Sequence, residues 1–483
     1  MAQSLKQKTI KGTAWSAVDA FLSYGVTFLV SLVLARLLSP SEYGLIGICT
    51  IFVTILDGIV DSGFSSALIR KNDTTDDDYN TMFLTNLAIS VFLYVILFFS
   101  APFIAQFFRR DELISLVRVM GLIILIQALS ITQNTILSKR LDFKNKTKAT
   151  IISSVSSGII GIVMAATGCG VWALVGQNIS RRLFNTICLW IINKWSPNLS
   201  FSKSSFQYMW GFGWKIMLSG LLYNVWNQLY HVVVGRWYSP HVLGQYTQAK
   251  NFSNALSNNF TLIVQRVTYP ALSETQNDTA RMVAAYRRII KLCMFVTVIC
   301  MFSMGAVAEP LIYCLIGEQW QMAASFLPLI CISCSFYPLH AINLNMLQIQ
   351  GRSDIYLLLE IVKKIIAIVP LVLGILVSIY WMLIGSIIIG FVSFLLNAYY
   401  TGKDLGYSPW MQIKDVAPSY GIAITIALSI YFFKYLPLNN YLILSIQLIV
   451  GIALFFILCI VFRIKEYQDI KDIILSFLRK SEF

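Results

Sequence analysis

Apolar stretches of about twenty residues follow one another almost without a break along this 483-residue chain. About 20 residues is the length a helix needs to cross the hydrocarbon of a bilayer. Because backbone N–H and C=O groups in lipid must be satisfied within the spanning structure, such stretches are helices. The chain therefore reads as an all-α polytopic membrane protein. Fourteen candidate spans lie at 14–38, 43–67, 81–104, 113–137, 149–167, 171–193, 211–235, 242–269, 289–308, 322–346, 355–378, 380–400, 417–436 and 441–462. The composition agrees: 57% of residues are hydrophobic and 12% charged, so charge is kept for loops and for surfaces that face water. The connections are too short to fold as a soluble domain.

Lys6, Lys8 and Lys11 precede the first stretch without a small-residue cleavage site, so that span is expected to be retained. The nine cysteines lie mostly within spans. Cys331 and Cys334 have metal-like spacing but sit in an apolar helix beside Ile330 and Ile332, so no metal site is expected. Basic residues favour cytoplasmic loops. With the N-terminus inside, 24 of the 37 Lys and Arg fall on inner segments and 5 on outer loops. Both termini are then cytoplasmic, and the net charge of +14 belongs mainly to a face that meets anionic lipid rather than nucleic acid. A phosphate-binding loop of the GxxxxGK[ST] kind is absent from the sequence.

The run Arg-Leu-Leu-Ser-Pro-Ser-Glu-Tyr-Gly from Arg36 to Gly44 recurs as Arg-Trp-Tyr-Ser-Pro-His-Val-Leu-Gly from Arg236 to Gly244, at an offset of 200 residues. Arg140 and Asp142 are echoed by Arg352 and Asp354 at an offset of 212. Each echo falls six spans after its original, and an even separation preserves orientation. Two parallel six-helix lobes are expected, at 1–200 and 201–402, followed by a trailing helix pair at 403–465 and an amphipathic cytoplasmic tail at 466–483. In that tail Ile470, Ile473, Ile474, Phe477 and Leu478 form an apolar stripe opposite Lys471, Asp472, Arg479 and Lys480.

Four segments, Leu34–Gly44, Asp61–Lys71, Leu137–Phe143 and Val234–Pro240, together resemble the bacterial polysaccharide transporters. These are the Wzx-type flippases of the multidrug/oligosaccharidyl-lipid/polysaccharide exporter superfamily, with most similarity to the colanic-acid and teichuronic-acid exporters. The resemblance implies a multi-pass protein of the bacterial inner membrane that exports an undecaprenyl-pyrophosphate-linked oligosaccharide by alternating access. It implies membrane lipids and glycan-assembly proteins as partners, and neither catalysis nor a cofactor. Two other classes stay open at this point: a multidrug exporter of the same superfamily, and a membrane-embedded glycan polymerase or acyltransferase. The latter usually needs a long outer loop, and the outer loops here are short.

Ionisable residues inside the spans are Arg118, Arg181, Arg182, Lys215, Lys250, Arg266, Lys363 and Lys364, against Asp19, Asp57, Asp61 and Glu360. Facing lipid, each would cost about 2.5–3.5 kcal/mol on insertion scales, so they are expected to line a cavity or pair with one another. The positive excess suits a pyrophosphate and opposes a cationic drug. Arg181 and Arg182 lie near the middle of the sixth span, roughly 15 Å from either end at about 1.5 Å per residue. Their planar forks match phosphate oxygens, although a salt bridge to another helix would also account for them. Lys250, Lys363 and Lys364 are further candidates, with Glu360 one turn before Lys364 as a neutralising neighbour.

Asn224, Asn227, Gln228 and His231 recur at helical spacing on the seventh span, and Asn251, Asn254, Asn258, Thr261 and Gln265 on the eighth. Such faces suit a sugar-binding wall; helix-to-helix amide bonding is the competing account. Asp57 and Asp61 share a face at i, i+4, where two carboxylates can hold a proton between them. That pair is the expected place for H⁺ or Na⁺ coupling, with helix packing and an arginine partner as the alternative.

Overall fold

A computed structural model describes residues 25–273, 278–403 and 405–472, with side chains left aside at 258–271 and 273. Asp19, the N-terminal lysines, the side chains of Asn258, Thr261, Gln265 and Arg266, and the tail beyond 472 therefore lie outside the described residues. The described chain is helical, with no strand among the described residues. It divides into two compact units, residues 1–247 and 248–483.

The first unit contains α1 (Gly25–Leu37), α2 (Pro40–Val60), α3 (Phe64–Arg70), α4 (Asp76–Phe108), α5 (Leu113–Met120), α6 (Leu122–Lys139), α7 (Phe143–Ala166), α8 (Val171–Asn193), α9 (Lys203–Trp237) and the start of α10 (Pro240–Ser273). The repeated Ser-Pro dipeptides are helix starts. Ser39 caps α2 with Pro40 in the first turn, and Glu42 reaches back to the Ser39 N–H at 2.6 Å. Ser239 does the same for α10, accepting from the Val242 N–H at 3.3 Å. Pro is tolerated there because the first helical N–H groups have no partner within the helix. The buried face of α7 is made of small residues, including Ser153, Ser154, Ser157, Gly158 and Gly161. Such a face lets α8 approach closely, as helices packing in lipid require. Helix α9, which the repeat assigns to the second lobe, packs on α2, α3 and α4. Its approach depends on Gly63, at φ +70°, and Gly213: a Cβ on Gly213 would fall 2.6 Å from the Ser62 carbonyl oxygen.

The second unit holds the remainder of α10, then α11 (Thr279–Ala306), α12 (Ala308–Ile316), a short 3-10 turn, α13 (Gln321–Cys334), α14 (Tyr337–Ile349), α15 (Ser353–Ile366), α16 (Ile368–Leu376), α17 (Ile379–Gly402), α18 (Pro409–Tyr431) and α19 (Asn440–Val461). Its core packs Tyr286, Met294, Val298, Ile342, Met346 and Phe394 together. At its edge, Asp415 accepts two bonds from Arg287, at 2.8 and 3.0 Å, and one from the Tyr407 hydroxyl at 2.8 Å, with Lys291 at 3.1 Å. Beyond α19, Ile464, Tyr467 and Ile470 pack against a cluster that includes Ile426, Ile430 and Cys459, and Arg288 pairs with Asp469 at 3.1 Å.

Among the described residues, nine helical stretches are long and apolar enough to cross a membrane. The expected spans that do not reach that standard are 14–38, 171–193, 211–235, 242–269 and 355–378. The first is described only from residue 25. The last is broken at Ala367 into α15 and α16. The others are α8, α9 and α10, the helices that carry the arginine pair and the amide faces.

Candidate functional site

A polar cavity of about 480 Å³ opens inside the first unit. Helix α2 supplies Thr50, Thr54 and Asp57; α5 and α6 supply Met120, Ile123 and Asn134; α7 supplies Lys146, Thr150 and Ser153. The fourth wall is α8, with Asn178, Arg181, Arg182 and Asn185. Those positions follow the i, i+3, i+4, i+7 spacing of one helical face, so all four point the same way.

Arg182 is the best-defined group. Its Nη1 donates to Gln127 Oε1 at 2.8 Å, and its Nη2 lies 3.4 Å from Asp57 Oδ2. The arginine side chain is 43% exposed and the aspartate 17%, so the guanidinium stays open to the cavity while its counter-ion is largely covered. Asp57 Oδ1 is buried without a hydrogen-bond partner among the described residues. Arg181 lines the same space, and Lys146 enters from α7, where its Nζ also donates to Ser138 Oγ at 3.4 Å. The cations lining the cavity thus outnumber its carboxylate, Asp57. The Thr50, Thr150 and Ser153 hydroxyls donate to carbonyls of their own helices, which leaves their oxygens to accept. Asn178 Nδ2 donates to the Leu174 carbonyl at 2.8 Å, leaving its amide oxygen toward the site.

The expected site residues separate. Asp57, Arg181 and Arg182 come together, whereas Asp61 does not line the cavity. Helix α2 ends at Asp61, and the carboxylate turns to α3, accepting from the Ser65 N–H at 3.3 Å and the Ser65 hydroxyl at 2.5 Å. The Asn224 amide reaches the Thr54 carbonyl at 3.5 Å, passing Gly58, where a side chain would collide with it. Asn227 is exposed and Gln228 half-buried, while His231 packs edge-on against Tyr246 at 5.4 Å. In the second unit, Asn251 is exposed and donates to Gln248 Oε1 at 3.4 Å, and Asn254 and Lys250 are half-buried. Lys363, not Lys364, takes Glu360, at 2.5 Å.

Several residues of the site were not singled out from the sequence. Lys146 counted as a loop cation because the apolar stretch begins at 149, yet α7 starts at Phe143. Gln127, Asn134, Asn178 and Asn185 are amides inside otherwise apolar spans. The helical spacing of Asn178 and Asn185 with the arginines was the signal that marks them.

The fold and this site define a polytopic, all-helical membrane protein with a cation-rich polar cavity in its interior. The chain belongs to the polysaccharide biosynthesis protein family, whose model matches residues 33–325. That is the family to which the motifs at Leu34–Gly44 and Asp61–Lys71 pointed. It is similar to the succinoglycan biosynthesis transport protein ExoT of Rhizobium meliloti, 26% identical over 69% of this chain and 68% of that protein. It is also similar to the teichuronic acid biosynthesis protein TuaB of Bacillus subtilis, 24% identical over 73% of each. Among solved structures, the inward closed conformation of the lipid II flippase MurJ matches with a TM-score of 0.75, covering 94% of this chain and 99% of that chain at 16% identity. At that identity the match speaks for the fold.

Proposed function

We propose that the protein is a flippase that carries an undecaprenyl-pyrophosphate-linked oligosaccharide across the bacterial inner membrane, with the pyrophosphate held by Arg181, Arg182 and Lys146. One observation carries this reading: three cations from two helices converge on a single polar cavity whose lining holds one carboxylate. Guanidinium groups bind phosphate oxygens through paired, charge-assisted bonds. The amides and hydroxyls of the same walls suit sugar hydroxyls, and the amide faces of α9 and α10, with Asn224, Asn227, Gln228, His231, Asn251, Asn254 and Asn258, extend that role. Lys250, Lys363 and Lys364 belong to the second unit and serve the same anion later in the cycle. A cationic drug as cargo is disfavoured by these charges.

The architecture that goes with this function is fourteen spans in two parallel lobes plus a trailing pair, with both termini cytoplasmic and alternating access between two faces. The paired Ser-Pro helix starts of α2 and α10 support the repeat. Asp57 competes with cargo for Arg182. Phosphate oxygens that draw the guanidinium away leave the carboxylate without its cation, and it then takes up H⁺ or Na⁺. Asp61 already has Ser65 as a partner, so coupling falls to Asp57.

The experiment replaces Arg181 and Arg182 by Gln, singly and together, and reads surface glycan beside protein abundance in the membrane. Loss of export at normal abundance is expected. Wild-type export in the double variant would overturn the assignment. Energy is tested in proteoliposomes under an imposed potential, since moving one charge through 100 mV is worth about 2.3 kcal/mol. Acceleration in the outward direction without ATP is expected; an unchanged rate stimulated only by ATP opposes it.

A further inference from the structure

Away from that cavity, an open groove of about 420 Å³ runs between α4 and α5. Its walls are Tyr94 and Phe98 from α4 and Ile114, Ser115 and Arg118 from α5, with Asp111 at the rim. The adjoining face of α4 is strongly apolar and exposed: Phe99 is 68% and Phe103 72% accessible. In a membrane protein that face meets acyl chains, so the groove opens toward lipid.

The local chain explains why an arginine stands there. Pro102 lies inside α4 and has no N–H, which leaves the carbonyl of Phe98, four residues earlier, without its helical donor. Arg118 supplies that donor: its Nε bonds the Phe98 oxygen at 3.3 Å, and its guanidinium lies 4.2 Å from the centre of the Phe98 ring. This fixes the group and leaves the two terminal nitrogens directed at the groove. Among the described residues Arg118 makes no ion pair, and Asp111, the carboxylate in the groove lining, is not within ion-pair distance. Arg118 lies about 10 Å farther along the chain axis from the α4–α5 turn than Asp111, at about 1.5 Å per residue. A charged residue at a lipid-facing surface needs a partner, and the protein leaves that position to something else.

We infer that this groove binds a glycerophospholipid of the leaflet at the α4–α5 turn, one whose headgroup carries a phosphate and a primary ammonium. The phosphate sits on Arg118, since the Ser115 hydroxyl already donates to the Glu112 carbonyl at 3.2 Å. The ammonium, which lies outward of the phosphate in such a lipid, sits by Asp111. The acyl chains follow the Tyr94 and Ile114 walls. The order of the two charges along the groove, carboxylate near the membrane surface and guanidinium deeper, matches the order of the headgroup charges.

The test is native mass spectrometry of the full-length protein released from bilayers containing equal parts phosphatidylethanolamine, phosphatidylglycerol and phosphatidylcholine. Wild type should retain phosphatidylethanolamine preferentially. Arg118→Gln should weaken that retention roughly tenfold, the loss of one charge-assisted contact. Asp111→Asn should remove the preference over phosphatidylglycerol while leaving lipid bound. Ile114→Trp fills the groove and keeps Arg118, so retention should fall there too, even if the Arg118 variant fails to insert. Equal retention of the three lipids by wild type, preference for phosphatidylglycerol, or wild-type retention by Ile114→Trp would each overturn the inference.

Discussion

Gly44 and Gly244, one near the start of α2 and the other near the start of α10, each accommodate the other helix's first turn. A Cβ on Gly44 would fall on the Pro240 carbonyl, and one on Gly244 would fall on the Pro40 carbonyl and 3.1 Å from the Gly44 nitrogen. The neighbour on each side is backbone, which cannot rotate out of the way. The contact is reciprocal in the way that a local twofold relation between the two Ser-Pro segments requires. Gly44→Ala and Gly244→Ala should therefore each destabilise the protein by about 1–3 kcal/mol, the usual cost of overpacking. The double variant should lose less than the sum, since one crossing is already forced apart. Thermal unfolding of the purified protein in detergent measures both.

Binding of cargo should follow the cavity's charge. Lys146→Gln and Arg181→Gln should each weaken retention of a pyrophosphate-linked lipid by a factor of about 10–100, the loss of one contact to a charged group. Lys215→Gln, outside the cavity, should leave it unchanged. Equilibrium binding of a labelled lipid pyrophosphate to the purified variants gives the comparison.

Asp57 and Arg182 should show coupling in a double-mutant cycle. Removing Arg182 alone leaves a mostly covered carboxylate without its cation, while removing both leaves neither charge. Arg182→Gln should thus be less stable than Arg182→Gln combined with Asp57→Asn, by about 1 kcal/mol because the arginine is partly solvated. Unfolding midpoints of the four proteins decide this, and additivity would show that the pair carries no interaction.

In the second unit, Asp415→Ala removes the shared acceptor of Arg287, Lys291 and Tyr407. The cost should be about 1–2 kcal/mol, because Arg287 and Lys291 are 44% and 34% exposed and water replaces part of what they lose. Asp415→Asn, which keeps an acceptor for Tyr407, should lose less. Both appear as lowered unfolding temperatures.

The sequence shows the helical class and the family because periodic apolar length and the Ser-Pro repeat are local properties. It also shows Arg181 and Arg182, since two arginines in mid-span have few places to go. It does not show where a helix ends by backbone geometry. Asp57 and Asp61 share a face by spacing, but the chain turns left-handed at Ser62 and Gly63, and Asp61 is drawn to Ser65 at the start of α3. Glu360 is equally placed for Lys363 and Lys364 by spacing, and side-chain direction picks the former. Lys146 escaped because hydropathy locates the apolar middle of a helix and not its polar first turn. The same averaging explains why α8 is less apolar than its neighbours: the residues that line the cavity are those that lower its hydropathy.

The small-residue face of α7 also bears on how this protein enters the membrane. Helix α8 carries two arginines and is a poor candidate to partition into lipid by itself, at about 2.5–3.5 kcal/mol for each charge at mid-membrane. Its partners α2, α6 and α7 all precede it in the chain and so leave the ribosome first. The serines and glycines of α7 offer a surface onto which α8 can close as a hairpin, with Asp57 and Gln127 already present to receive Arg182. The order of synthesis thus places the acceptors before the donor.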